Sequence, residues 1–350
     1  MQKWKENLRE IEPYVPGEQP QNKNVIKLNT NECPYSPSPA VKKAIAGYDY
    51  NRLRLYPSFV CADLKYALME TYPVNENEIF LGNGSDEVLA FCFMTFFNSK
   101  KPILFPDITY SFYDVWCNLY NIPYERPALD DNFCIIKEDY YKENGGVVIT
   151  NPNAPTSVYM ELNDIEDIIK HNEDVIVIVD EAYIDFGGKS AVDLIHKYDN
   201  LVVVQTYSKS RALAGIRVGY AMASSCLINA LEAVKNSFNS YTINSFSQII
   251  ATASAKDKDY FNDCVDKIVS AREWTINELS KLGFETLPSK ANFIFTTNKN
   301  ISAEKLFAYL KSKNIFVRYF NKPRISEYLR ITIGTFQEME KLIKAIKEYW

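Results

Sequence analysis

The residues of this chain best suited to chemistry stand just beyond short apolar runs. Thr206-Tyr207-Ser208-Lys209-Ser210-Arg211 follows Leu201–Val204, and Arg217 comes shortly after in Ala214-Gly215-Ile216-Arg217-Val218-Gly219-Tyr220. Ser208, Lys209 and Arg217 offer a hydroxyl, an amine and a guanidinium, a set that suits a phosphate clamp beside an imine-forming lysine. Imine formation needs a neutral amine some of the time, and burial near other cations lowers a lysine pKa. Standing alone, such a lysine is a solvated turn residue. Asp180-Glu181-Ala182-Tyr183 follows Val175–Val179. In open α/β sheets the carboxyl ends of strands are where ligands bind. An Asp there either closes a turn or pairs with a protonated ring nitrogen, which makes the ring a better electron sink.

Two further segments have both a plain and a functional reading. Gly82-Asn83-Gly84-Ser85-Asp86-Glu87 follows Ile79–Leu81 and precedes a helical pattern. Its glycines would let the backbone approach an anion that the helix N-terminus can hold; a capped glycine turn is the other reading. The spacing matches neither a Walker loop nor a dinucleotide fingerprint. Asn151-Pro152-Asn153-Ala154-Pro155-Thr156-Ser157 follows Val147–Thr150. Its two prolines predict a stiff loop, either a rigid turn or a fixed wall beside a ligand.

The elements that must position these residues alternate along the chain. The apolar runs, with Ile103–Phe105 among them, are continuous and rich in β-branched residues, as strands covered on both faces are. Ala62–Tyr72, Asp86–Phe97 and Leu162–His171 predict helices between them. The result is an α/β fold: a mainly parallel sheet covered by helices over residues 41–250. Residues 1–40 carry Pro13, Pro16, Pro20, Pro34, Pro37 and Pro39, and predict an extended N-terminal arm rather than a packed element, packing with the small domain; Ser38 or Pro39 then opens a helix through Ala46. Residues 251–350 predict a smaller α+β C-terminal domain. Its helices are Asp259–Leu282, Ala303–Lys311 and Gln337–Tyr349; its strands are Asn292–Thr297, Ile315–Tyr319 and Leu329–Ile333. No repeat or low-complexity segment interrupts this order.

Composition narrows the function classes. The 350 residues are 47% hydrophobic and 24% charged with a net charge of −5, which argues against a general nucleic-acid binder. The 24 tyrosines read as packing or surface aromatics. The seven cysteines lack Cys-x-x-Cys spacing and read as reduced thiols. The two histidines, His171 and His196, form no metal pattern, so no metal is expected. No apolar run has signal-peptide or membrane-spanning length, and the expected location is the cytoplasm.

Taken in order, these segments resemble the fold-type I pyridoxal-phosphate aminotransferases of classes I and II. Leu28-Asn29-Thr30-Asn31-Glu32, Leu55-Tyr56-Pro57 and Leu329-Arg330-Ile331-Thr332-Ile333-Gly334-Thr335 extend the likeness over nearly the whole chain. The resemblance implies pyridoxal 5′-phosphate as cofactor, with Lys209 joined to it as an imine and then moving the proton. Asp180 would bind the ring nitrogen, and Tyr183 the ring 3-oxygen. Gly84, Ser85, Asp86, Ser208 and Arg217 would form the phosphate site. Tyr110 would stack on the ring, and Tyr56 would reach the phosphate site of a second subunit, making a homodimer. Arg330 would grip the substrate's anionic end with Arg318 helping; Tyr14 and Asn31 belong to the same substrate side. Arg324 reads as a solvated loop residue.

The loop departs from the family's usual Asn-Pro-Thr-Gly: Ala154 stands where the asparagine that bonds the 3-oxygen should be, and the adjacent Asn153 is the cofactor-binding candidate the resemblance leaves in that loop. Losing one such bond would cost about 0.5–1.5 kcal/mol. Ser157 replaces the glycine, which is tolerable at negative φ. The partners implied are a small amino donor and a 2-oxo acid, with no nucleic acid and no membrane. The expected pair is L-histidinol phosphate and 2-oxoglutarate, because an arginine fork accepts a carboxylate or a phosphate. An aromatic or other amino-acid aminotransferase, a threonine-phosphate decarboxylase, and a non-catalytic phospholigand-binding module are the alternatives.

Overall fold

A computed structural model describes residues 3–20 and 24–349. The strands, in chain order, are β1 (Ile26–Lys27), β2 (Ile79–Gly82), β3 (Ile103–Leu104), β4 (Tyr124–Glu125), β5 (Val147–Thr150), β6 (Val177–Asp180), β7 (Leu201–Thr206), β8 (Gly219–Ala223), β9 (Glu285–Thr286), β10 (Phe293–Thr297), β11 (Ile315–Phe316), β12 (Arg318–Tyr319) and β13 (Tyr328–Thr332). The helices are α1 (Pro39–Ala46), α2 (Ala62–Met69), α3 (Ser85–Phe96), α4 (Phe112–Tyr120), α5 (Leu162–Lys170), α6 (Ser225–Phe238), α7 (Ser245–Lys256), α8 (Lys258–Lys281), α9 (Ala303–Ser312) and α10 (Phe336–Tyr349).

Seven strands form the large sheet in the order β2-β8-β7-β6-β5-β3-β4. Its pairs are parallel except those made by β8, which runs against both β2 and β7. The alternation of each buried strand delivers its side chains to two separate cores. Val177, Val179, Leu201 and Val203 pack with Leu68 of α2, Ile168 of α5 and Ile250 of α7. Ile178, Val202 and Val204 pack with Phe93 of α3, Trp116 of α4 and Leu231 of α6. Each fully buried Val or Ile contributes about 1.5–3 kcal/mol, so this sheet is the stiff region of the molecule.

The reversed strand has a positional consequence. Because β8 runs antiparallel to β7, the residues leaving β7 and those entering β8 lie at one edge of the sheet. The register pairs Thr150 with Asp180, Thr206 with Gly219, and Gly219 with Gly82. Ser85, Asp180, Ser208, Lys209 and Arg217 therefore share the carboxyl edge of the parallel strands.

The small domain is an antiparallel sheet, β12-β13-β10-β9, packed against α8, α9 and α10. The arm joins it more intimately than the prolines suggest. β1 pairs in parallel with β11, Leu28 is buried in the same core, and the Thr332 N–H donates to the Leu28 carbonyl at 3.0 Å. Over Ile26–Asn31 the arm is thus a packed element against the small domain as well as an extended one, and strand pairing satisfies its backbone. Ser38 caps α1 by accepting from the Val41 N–H, with Pro39 at the first turn.

Two other expectations are corrected. Ser157 sits at φ +66°, in the left-handed region, and its Oγ donates to the Thr156 carbonyl at 2.5 Å. Full burial of the loop holds it there despite a cost of roughly 1–2 kcal/mol. Arg324 is exposed in a loop as expected, but it is not free there, since its guanidinium makes three bonds to the large domain. Among the described residues no helix is long and apolar enough to cross a membrane, and no cluster of His, Cys, Asp or Glu could hold a metal. All seven cysteines are free thiols.

Candidate active site

A cavity of about 310 Å³ opens where the carboxyl edge of the large sheet meets the small domain and the arm. That volume lies in the range of small-molecule sites. The strand ends supply its first wall. Asp180, the last residue of β6, is buried; its Oδ2 accepts from the Tyr113 hydroxyl at 2.8 Å and its Oδ1 from the Ala182 N–H at 3.2 Å. Burial pushes its pKa up to about 6, against the pull of those two donors. A carboxylate held this way gains from a cationic partner in the cavity. Thr150 stands beside it at 2.7 Å from the Tyr113 hydroxyl.

Lys209 lines the same cavity. Its Nζ donates a long 3.4 Å bond to the Thr30 carbonyl and stands 5.5 Å from the centre of the Tyr183 ring. The amine is therefore placed without being locked. Asn31, buried and at φ +56°, donates to the Tyr183 hydroxyl at 3.1 Å and accepts from the Thr332 hydroxyl at 3.0 Å. Tyr183 is in this way oriented by the arm.

The anion-holding half is built from main chain and one guanidinium. Gly84 has φ +88°, and a Cβ there would come within 2.5 Å of Arg217 Nη2. Behind it, a Cβ on Gly219 would lie 2.3 Å from the Ser85 N. The two glycines let β2, β8 and the start of α3 close into a cradle, with the helix N-terminus favouring an anion. Arg217 pairs with Asp86 at 2.9 Å, and the Tyr110 hydroxyl donates to the other Asp86 oxygen at 2.8 Å. Ser208 lines the cavity and accepts from the Thr206 hydroxyl at 3.0 Å.

The opposite wall carries two arginines in register. Arg318 on β12 faces Arg330 on β13, and both line the cavity. Arg330 donates to the Asn29 carbonyl at 2.8 Å, while its buried Nε has no hydrogen-bond partner among the described residues. Burial and the nearby Arg318 work against its charged form. An unpaired buried donor on a cation is a strong invitation to an anion. Tyr14, stacked on Phe112 at 4.4 Å, roofs this region.

The structure thus gathers Tyr14, Asn31, Ser85, Asp86, Tyr110, Asp180, Tyr183, Ser208, Lys209, Arg217, Arg318 and Arg330 around one space, with Gly84 in the cradle. Two expected residues stand elsewhere. Asn153 turns its amide into its own loop, donating to the Ile108 carbonyl and Thr156 and accepting from Thr109, while Ala154 lines the cavity. Tyr56 is 82% exposed and stacks on Tyr241 at 4.6 Å. Tyr113, whose hydroxyl donates to Asp180, is a further site residue; it stands three residues after Tyr110 in the first turn of α4, and its place shows only once that helix is packed on the sheet.

The donor set fits a pyridine ring bearing an aldehyde and a phosphate: a buried carboxylate for the ring nitrogen, an amine for the aldehyde, and a glycine cradle with Arg217 for the phosphate.

Comparisons with known proteins agree in kind. Residues 23–346 match the family described as aminotransferase class I and II. A histidinol-phosphate aminotransferase of Clostridium botulinum (strain 657 / Type Ba4) is 52% identical over 345 residues, covering 99% of this chain and 98% of that protein. One from Marinomonas sp. (strain MWYL1) is 54% identical over 347 residues, covering 98% of each. The crystal structure of the histidinol-phosphate aminotransferase from Clostridium acetobutylicum superposes with a TM-score of 0.86 at 26% identity, covering 93% of this chain and 99% of that one.

Proposed function

Since the chain belongs to the class I and II aminotransferases, we propose that it transfers the amino group of L-histidinol phosphate to 2-oxoglutarate. The products are imidazole acetol phosphate and L-glutamate, the setting is histidine biosynthesis in the cytoplasm, and the cofactor is pyridoxal phosphate. The observation that carries the substrate reading is the register pair Arg318–Arg330, with a buried unpaired Nε on Arg330, in the wall facing Lys209. Two guanidiniums suit a phosphate in one half-reaction and a carboxylate in the other.

When bound, pyridoxal phosphate supplies an aldehyde that joins an amine and a ring that accepts electron density. Gly84, Ser85, Ser208 and Arg217 would hold its phosphate, Tyr110 would lie on the ring, and Tyr183 would bond the 3-oxygen. Asp180 would hold the proton on the ring nitrogen, and that pairing would draw its pKa back down. Lys209 would carry the proton from the substrate's Cα, its loose bond to Thr30 leaving the amine free to move. Tyr14 and Phe112 would keep water from that transfer. Leu53, Leu55, Tyr56, Phe59 and Tyr241 are exposed, with Tyr56 stacked on Tyr241 and the Ser58 carbonyl bonded by Gln248 of α7, and we read this region as the face of a homodimer through which Tyr56 reaches the partner's phosphate site.

The test is an amine panel on protein loaded with pyridoxal phosphate. Histidinol phosphate is expected to exceed phenylalanine in kcat/KM by roughly 100-fold or more, because a partly buried arginine pair left without its anion carries the discrimination. Preference for phenylalanine, or loss of carbon dioxide from threonine phosphate, would overturn the substrate.

A further inference from the structure

Arg324 lies between β12 and β13, at φ +66°. Its guanidinium leaves the small sheet and crosses to the large domain. Nη1 bonds Asp107 Oδ2 at 3.1 Å; Nη2 donates to the Leu129 carbonyl at 2.8 Å and the Asp130 carbonyl at 2.6 Å. The fork also sits 5.4 Å from the centre of the Phe133 ring. A planar cation meeting one carboxylate and two carbonyls is a geometry that only arginine makes.

What stands at each end gives the contact its meaning. Asp107 is anchored in turn: its Oδ1 accepts from the Leu129 N–H at 3.0 Å and its own N–H donates to the Pro127 carbonyl at 3.0 Å. Ile108, Thr109 and Tyr110 follow directly. The Ile108 carbonyl and Thr109 hydroxyl are bonded to Asn153, and the Tyr110 hydroxyl to Asp86. At the other end, β12 carries Arg318 and β13 carries Arg330, and both guanidiniums lie against the Phe320 ring. Beneath the bridge Ile325 and Phe295 pack with Leu129 and Phe133, and Ile108, Phe320 and Tyr328 lie partly buried around them. That packing holds the two surfaces together, and the directional bonds of the Arg324 fork add a fixed register between them.

We propose that Arg324 is a positioning residue: through Asp107 it holds the strand pair bearing Arg318 and Arg330 at a set distance from the segment bearing Tyr110. The span from the substrate's anion to the ring face is then governed by a side chain that touches neither. The role rests on the reading of Arg318, Arg330 and Tyr110 given above, yet its local consequence does not depend on which amine is the substrate.

Arg324→Ala is expected to raise KM for both histidinol phosphate and 2-oxoglutarate about 10-fold, with kcat changed less, as loss of positioning at a distance from the chemistry does. Amide exchange over residues 107–113 in ligand-free protein is expected to quicken roughly 5-fold or more as local opening becomes easier. Asp107→Asn should reproduce both effects, and the double variant should be no worse than either single one; Asp107→Asn also decides the matter should Arg324→Ala fail to fold. Arg324→Lys should recover only a fraction of the loss. Unchanged exchange at 107–113 together with unchanged KM values would overturn the proposal. So would a uniform fall in kcat at constant KM, which is the mark of a lower folded fraction. Should histidinol phosphate prove not to be a substrate, the exchange result still stands by itself.

Discussion

The two walls of the cavity are made in different ways. One is the carboxyl edge of a sheet buried on both faces: Asp180 ends β6, Ser208 and Lys209 follow β7, and Arg217 precedes β8. The other comes from the arm and a small antiparallel sheet, where Tyr14, Arg318 and Arg330 stand on partly exposed elements. The first wall cannot shift without unpacking two cores. The second is tied down by individual side chains, Asn31 to Thr332 and Arg324 to Asp107 among them. Fixed chemistry and adjustable recognition are thereby kept on separate scaffolds.

The contrast can be broken most directly at Lys209. Lys209→Ala is expected to lose roughly 10⁴-fold or more in turnover, a loss proper to a covalent and proton-moving group. The fold should survive, since the amine makes one long bond. Turnover within tenfold of the parent, in an assay of glutamate formation, would mean the strand-edge wall is not where the chemistry resides.

Asp180→Asn comes next, with an expected fall of about 10²–10³-fold in kcat as the ring nitrogen loses its anion. Stability should move the other way. The folded pKa of Asp180 is pushed up to about 6 from an ordinary 3.8 by burial. Its ionisation therefore weakens the ligand-free fold progressively between those values. Asp180→Asn should gain roughly 3 kcal/mol or less above pH 6, and the gain should vanish below about pH 4. Urea melts of cofactor-free protein at pH 4.5 and 8 measure it. A gain that is the same at both pH values would mean the carboxylate is not destabilised by its burial.

Arg330→Ala probes the adjustable wall and should have the smallest effect on the chemical step. KM for the anionic substrates is expected to rise about 30-fold, with kcat falling less than for Asp180→Asn. A collapse of kcat with KM untouched would erase the division between the walls.

How far each wall could be read in the sequence follows the same line. The runs ending at Val179 and Val204 are β-branched and unbroken, so their strands and the polar residues after them stand out. β8 escapes notice because Gly219-Tyr220-Ala221-Met222-Ala223 is poor in strand-forming residues; its pairing between β7 and β2 is decided by the whole sheet. α4, α6 and α7 mix Ser, Asn, Thr and aromatics with apolar residues, which blurs their period. The prolines of the arm conceal that Leu28 is a core residue. Arg318 and Arg330 were legible only through the resemblance, since nothing local says that they face each other across two strands. Asn153, Tyr113 and Arg324 depend on contacts between residues far apart in the chain, and no local pattern records those. Ser157 tolerates its left-handed backbone because the buried loop around it outweighs its own preference.

The close approach at Gly219 has one more effect. The floor of the anion cradle is peptide backbone pressed against peptide backbone, with no side chain in between to adjust. On the proposed reading, changes at Ser85, Ser208 or Arg217 would grade the hold on a phosphate in small steps. A change at Gly219 allows no grading: a single methyl would have to push the Gly84–Ser85 backbone at the start of α3 away from β8 before the cradle could form at all.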